Sequence, residues 1–137
     1  MATSYANPGG TGDRQAIINI STDLLPADSG DVEQLIDGLQ ADGYKWLGEI
    51  TGGGYIQFDF GPGVAKIITE AKLYCDITSG ISHGKWVWQV SSTAAADSWI
   101  TVSASYQIGS NPDPIIVMQL PYGWTDLGYR YYRLILV

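Results

Sequence analysis

The chain has 137 residues, of which 45 % are apolar and 15 % charged, and its fourteen acidic and seven basic side chains give a net charge of −7. This length suits one domain, and the composition is too apolar and too weakly charged for a disordered chain. Because nucleic-acid binders carry a basic patch and the basic residues here are scattered, we exclude DNA, RNA and anionic membranes as main partners.

Two features absent from the sequence bear on location. No run of ~18 apolar residues is present, so we expect no insertion into a membrane. Residues 1–7 lack the basic start and the apolar stretch of a signal peptide, so we expect synthesis in a cytoplasm without secretion by the usual route. The one cysteine, Cys75, cannot form an internal disulfide, and its place in an apolar alternation predicts a small buried side chain.

The first third of the chain contains few regular elements. Residues 1–14 are polar and rich in glycine, which predicts an N-terminal arm, and residues 15–137 are predicted to form one domain. Alternation predicts a strand over residues 15–22, and turn-forming residues predict a loop over residues 26–30. The segment Asp31–Leu39 is the one predicted helix, because its apolar residues fall on one helical face behind an aspartate that can cap it.

The clearest strand signal is Tyr55 to Gly61, where Ile56, Phe58 and Phe60 alternate with polar residues. Residues 85–92 show the same alternation. Tryptophans within such strands are usually core residues, and we therefore predict three of them in the interior. These are Trp86, Trp88 and Trp99.

Short runs of the same kind continue to the C-terminus. They cover residues 66–76, 99–105, 115–120 and 129–137. With the earlier segments they amount to seven or eight strands separated by Gly- and Pro-rich turns, the pattern typical of an antiparallel β-sandwich or jelly roll. Asp59 lies on the polar side of its strand, where we expect it to bond to the backbone or to Arg133.

The order of several short motifs resembles the discoidin domain, also called the coagulation-factor C-type domain, over roughly residues 31–137. The motifs are Asp37-Gly38, Trp46, Tyr55-Ile56-Gln57-Phe58-Asp59-Phe60-Gly61, Trp88-Gln89-Val90-Ser91, Trp99 and Arg130-Tyr131-Tyr132-Arg133-Leu134. The resemblance implies a galactose-binding-like jelly roll of about eight strands, whose loops at one end bind sugars, lipids or proteins. The chain departs from the family in the turn over residues 92–98, which is longer and lacks glycine, and in having no terminal cysteines.

The opening Asn-Pro-Gly-Gly-Thr-Gly-Asp-Arg, residues 7–14, resembles the start of bacteriophage virion proteins that carry such domains. This second resemblance implies a capsid decoration protein or a tail-associated protein. Its partners would be capsid or tail proteins, and a decoration protein would be a homo-oligomer or would clasp the shell with its arm. A virion component needs no signal peptide, because it leaves the host at lysis.

Aromatic and polar residues in predicted loops are candidate ligand-binding residues. Tyr122 and Trp124 lie in a Pro/Gly loop, where a ring can stack on a sugar while neighbouring polar groups hold hydroxyls; the alternative is that both fold back onto the core. His83 could donate to a sugar hydroxyl or could simply be solvated. Tyr44 completes this candidate set.

Metal and catalytic signals are weaker. Asp37 and Asp42 lie in an oxygen-rich loop that could hold Ca²⁺, although the spacing is not that of an EF-hand and Asp-Gly is a common turn. No hydrolase, metalloprotease or redox motif is present, so we expect no enzymatic activity and no cofactor. The sequence therefore predicts a non-enzymatic virion structural protein, with a carbohydrate-binding module that recognises a cell-surface glycan as the alternative.

Overall fold

A computed structural model of the chain describes residues 14–24, 27–29, 32–36, 45–46, 53–71, 84–107, 115–120 and 128–137. Within these residues the fold is an antiparallel β-sandwich, as the sequence predicts, and it contains a single 3₁₀ helix. The strands are β1 (Asn19–Thr22), β2 (Ala27–Ser29), β3 (Lys45–Trp46), β4 (Tyr55–Asp59), β5 (Glu70–Ala71), β6 (Lys85–Ser91), β7 (Ile100–Thr101), β8 (Tyr106–Gln107), β9 (Ile116–Val117) and β10 (Tyr131–Leu136), and the 3₁₀ helix is Val32–Ile36.

The main layer is a six-stranded sheet in the order β1-β4-β10-β6-β7, with β8 also paired to β6. Strands β7 and β8 lie one after the other along the same edge of β6. Between them the Trp88 N–H donates to Ser103 Oγ at 2.8 Å, and the Val102 N–H donates to the Trp88 carbonyl at 2.9 Å. The backbone of β6 therefore remains hydrogen-bonded where the regular ladder is interrupted.

One face of this sheet forms the core. The register places Leu134 of β10 between Ile56 of β4 and Trp88 of β6, so that side chains of the same parity meet on one face. Leu134 and Ile56 are fully buried, and Phe58 packs against this cluster. The predicted inward-facing residues of β4 and β6 are confirmed, including the interior positions of Trp86 and Trp88, although Val87 and Ser91 on the opposite side of β6 are also buried.

A second layer covers the core. Strand β5 pairs with β9, and the Met118 N–H donates to the Thr69 carbonyl at 2.8 Å. Ile116 packs against the core and Met118 is buried within it, whereas Val117 between them points outward. Strands β2 and β3 form a further two-stranded sheet.

The hydroxyl of Tyr132 joins the two layers. It donates to the Lys66 carbonyl at 2.5 Å and accepts from the Ile68 N–H at 3.1 Å. Burial raises the pKa of this hydroxyl to about 12, so it stays protonated and keeps donating across the physiological range. Gly128 reinforces the contact, because its φ of 74° and its approach to the Lys66 carbonyl leave no room for a Cβ atom.

The N-terminal third differs from the sequence-based prediction in two places. The predicted helix Asp31–Leu39 is a 3₁₀ helix over Val32–Ile36; its apolar residues include a pair three positions apart, which this tighter helix stacks on one side. The predicted loop over residues 26–30 contains β2, whose Ala27 pairs with Trp46. Ala-Asp-Ser has low β propensity, so this strand forms through pairing with a distant segment.

Truncation of Leu134 tests the central position of β10. We expect Leu134→Ala to lower the free energy of unfolding by about 2–5 kcal/mol, because a fully buried leucine leaves a cavity between β4 and β6. Urea denaturation followed by fluorescence measures this change. Ile17→Ala is the control, because Ile17 is 53 % exposed and its truncation should cost no more than about 0.5 kcal/mol. Equal losses in the two variants would contradict the assigned core.

Candidate functional site

The residues predicted as binding sites lie outside the described part of the chain. These are Tyr44, His83, Tyr122 and Trp124 as ligand-binding candidates and Asp37 and Asp42 as calcium candidates. The same is true of Cys75 and of nearly all of the predicted arm, from which only Arg14 is described. The structure therefore does not show whether these residues lie close together, and the loop site remains a prediction.

The described residues present a different candidate, on the outer face of the six-stranded sheet. Four polar side chains form a row across four neighbouring strands, and we call them the polar row: Gln57, Arg133, Gln89 and Thr101. The Arg133 Nε–H donates to Gln89 Oε1 at 2.8 Å, and Gln89 Nε2 donates to Thr101 Oγ1 at 3.1 Å. These bonds hold Arg133 and Gln89 against each other across the paired strands β10 and β6.

Aromatic rings flank the polar row. The Arg133 guanidinium carbon lies 4.0 Å from the centroid of the Trp99 ring and 5.7 Å from that of the Tyr55 ring. Both distances are within the range of cation–π contacts. Trp99 also meets the ring of Tyr131 at 6.4 Å between centroids, with an interplanar angle of 67°. The outer face therefore presents half-buried rings around the Arg133 guanidinium.

The prediction that Trp99 belongs to the core is wrong. Strand β7 begins at Ile100, and its register with β6 places Thr101 opposite the outward-facing Gln89. Trp99 has the same parity as Thr101 and therefore lies on the outer side, where its indole is half-buried against Arg133. Only the register of a two-residue strand distinguishes the two placements, and the composition of the segment does not reveal it.

A second arginine near this face has a carboxylate partner. Arg130 donates to Asp59 through Nε at 2.7 Å and through Nη2 at 2.9 Å, and its guanidinium lies 4.6 Å from the centroid of the Tyr131 ring. Asp59 also accepts from the Gly61 N–H at 2.9 Å. The expected backbone bond of Asp59 is confirmed, but its arginine partner is Arg130 and not Arg133. In the register Asp59 stands opposite Tyr131, next to Arg130.

Arg133 differs from Arg130 in its electrostatic surroundings. No carboxylate of the residues described lies within ion-pair distance of Arg133, whose recorded hydrogen bond is the one from Nε to Gln89. Desolvation lowers the pKa of Arg133, while Tyr55 and Asp23 oppose this shift. An arginine stays charged despite such a shift. Among the described residues, the outer face therefore holds a partly desolvated guanidinium that is influenced by Asp23 but forms no ion pair, and whose Nη groups have no acceptor.

Comparison of the chain with protein-family models, with curated proteins and with solved structures found no match. The discoidin-like and phage-like resemblances therefore remain predictions from sequence motifs. Among the described residues, no group of three His, Cys, Asp or Glu side chains is arranged to hold a metal ion. Nor does this part of the chain contain a helix long and apolar enough to cross a membrane.

The bidentate pair on Asp59 makes a testable contribution to stability. The hydrogen bond from Arg130 holds the pKa of the Asp59 carboxyl below its usual value, against the opposing effect of desolvation. A carboxyl whose folded-state pKa is depressed stabilises the fold above its unfolded pKa of about 3.9, and this stabilisation is lost as pH falls through the folded pKa. Asp59→Asn should therefore be less stable than the parent at pH 7, and the difference should shrink below pH ~4.

Urea denaturation of both proteins from pH 7 to pH 2.5, together with a carbon-13 titration of the Asp59 carboxyl, measures this effect. Asp97→Asn is the matched control, because Asp97 is an exposed aspartate in the turn before β7. A parent–variant difference that stays constant over the whole pH range would show that the charge of Asp59 has no stabilising role.

Proposed function

We propose that this protein is a non-enzymatic structural component of a bacteriophage virion, a capsid decoration or tail-associated protein that binds other virion proteins and itself as a homo-oligomer. The resemblance of residues 7–14 to the start of phage virion proteins supports the location, and the discoidin-like motif order supports a binding domain. The absence of hydrolase, metalloprotease and redox motifs from the sequence supports a role without catalysis.

The observation that carries the protein-binding role is an exposed apolar strip on the second layer. Ile115 and Val117 are 61 % and 59 % exposed and alternate with residues that pack into the core. A shallow groove beside them is lined by Val117, Ala104 and Gln119, among other residues. Ile115 directly precedes β9 and Val117 lies in it, so the two exposed side chains stand next to each other, and contiguous exposed apolar surface marks sites that a partner covers. Burial of such side chains supplies about 25 cal/mol per Å² of apolar surface.

The outer face of the six-stranded sheet supports the alternative function, carbohydrate binding. A sugar ring has an apolar C–H face and a rim of hydroxyls, so proteins hold it with aromatic planes and side-chain hydrogen bonds. Trp99 supplies such a plane, and Gln89 and Thr101 supply the polar groups. The predicted loop residues Tyr122 and Trp124 would form a separate sugar site at the end of the sandwich. A virion protein that touches the host surface could perform both roles.

A charge placed in the apolar strip tests the proposed function. We expect Val117→Glu to abolish oligomer formation and incorporation into particles, because a buried unpaired carboxylate opposes association by several kcal/mol. Val64→Glu is the matched control, since Val64 is also exposed, at 37 %, but lies in the turn after β4. Light scattering after size exclusion measures the oligomer, and antibody labelling of gradient-purified phage particles measures incorporation.

The same measurements can contradict the proposal. A parent protein that is monomeric and absent from purified particles would exclude a virion role. Normal assembly of Val117→Glu would leave the virion role intact but would show that the apolar strip is not the contact surface.

A further inference from the structure

The outer face has one feature that the proposed virion contacts do not use, namely the Arg133 guanidinium. It is half-buried between the rings of Trp99 and Tyr55, and its Nε is bonded to Gln89. We propose that this face, centred on Arg133, binds a sugar that carries a single carboxylate, such as a uronic acid.

Arg130 has the carboxylate partner that Arg133 lacks among the described residues. The two arginines flank the start of β10, and Arg130 donates through two nitrogens to the carboxylate of Asp59. Arg133 has no such acceptor among the described residues, and its bond to Gln89 uses only Nε. Within the part of the chain that the structure describes, both Nη groups thus lack an acceptor and can donate to a carboxylate from a ligand, and a planar guanidinium fork matches a carboxylate in bidentate geometry.

The neighbours of Arg133 favour a sugar as the rest of the ligand. Gln57, Gln89 and Thr101 extend the polar row on both sides of the guanidinium and offer donors and acceptors to hydroxyl groups. The row crosses four strands, a span of about 14 Å at the usual strand spacing. The half-buried rings of Trp99 and Tyr131 stand beside it, each with a guanidinium over one face, and their remaining exposed surface can contact a C–H face.

The negative net charge of the protein favours a ligand that carries few carboxylates. The chain carries a net charge of −7, and Asp59 already neutralises Arg130. A long acidic peptide or another polyanion would meet repulsion over the surface with one free guanidinium to oppose it. Asp23 acts electrostatically on Arg133 but forms no ion pair with it. A single carboxylate can therefore approach Arg133 closely, because charges farther away than about 8 Å are screened at physiological salt.

This inference rests on the proposed binding role, and it places the glycan contact on the sheet face instead of the end loops. Particle incorporation tests the virion role, whereas sugar binding by the isolated protein tests the outer face. The two experiments can therefore fail separately.

The test is a titration of the nitrogen-15-labelled full chain with pairs of sugars that differ only in the carboxylate. The probes are methyl glucuronide, methyl galacturonide and the methyl glycoside of N-acetylneuraminic acid, each beside a neutral partner: the corresponding glucoside or galactoside, or the carboxyl methyl ester of the sialoside. We expect at least one acidic sugar to shift the Trp99 indole resonance, assigned with Trp99→Phe. We expect it to bind about ten-fold more tightly than its neutral partner, as a charge-assisted bidentate bond predicts.

Variants assign the preference to Arg133. Arg133→Gln should remove the acidic preference, and Arg133→Lys should keep only part of it, since lysine has the charge without the planar fork. Lys85→Gln is the control, because it removes one exposed positive charge at the far end of β6 and should leave the affinity unchanged. Thermal unfolding of each variant confirms that it is folded.

Several results would overturn the inference. One is no shift of the Trp99 indole by any acidic sugar at millimolar concentration. Others are equal affinity for the acidic and neutral members of every pair, equal affinity for a short Asp/Glu peptide, or an unchanged preference in Arg133→Gln. If Arg133→Gln does not fold, the affinities of the parent protein for each acidic sugar and its neutral partner still test the inference.

Discussion

The register of β10 between β4 and β6 is the constraint on which the rest of the structure depends. This strand is hydrogen-bonded on both sides, so its side chains alternate strictly between the core and the outer face. A slip of one residue would expose Leu134 and Tyr132 and would bury Arg133 without a partner. The same register that closes the core therefore also positions the guanidinium on the outer surface, and neither face can change independently of the other.

Tyr132 connects β10 to the second layer. Its ring lies in the core beside Phe60, and its hydroxyl is bonded to the backbone of residues 66–68. Among the residues that the structure describes, the strands β5 and β9 of the second layer pair over two residues each. This buried hydroxyl, the close approach of Gly128 to Lys66 and the packing of Met118 all help to hold it against the main sheet. A buried hydroxyl thus links the two layers through directional hydrogen bonds, which define their relative position more narrowly than apolar packing does.

Periodicity predicts the strands that are long enough to show a period and whose apolar and polar residues alternate clearly. The alternation in β4 and β6 is enough to place Ile56 and Trp88 in the core before any coordinates are known. It fails for Trp99, because a two-residue strand has no period of its own and its parity comes from pairing with β6. It fails in the same way for β2, whose residues have low β propensity. Asp59 pairs with Arg130 and not with Arg133 because of the cross-strand register, and the local sequence pattern does not predict that register.

The sheet face has a physical advantage over loops as a place for recognition. Residues on paired central strands are already ordered, so a ligand that binds there does not have to immobilise them. Arg133 is held by Gln89 and by two rings before any ligand arrives, which removes most of the side-chain entropy that a long, exposed arginine would lose on binding. Its partial desolvation also strengthens its attraction for an incoming carboxylate. The arrangement that leaves this guanidinium without a carboxylate partner among the described residues is therefore also the one that prepares it to accept a carboxylate from outside.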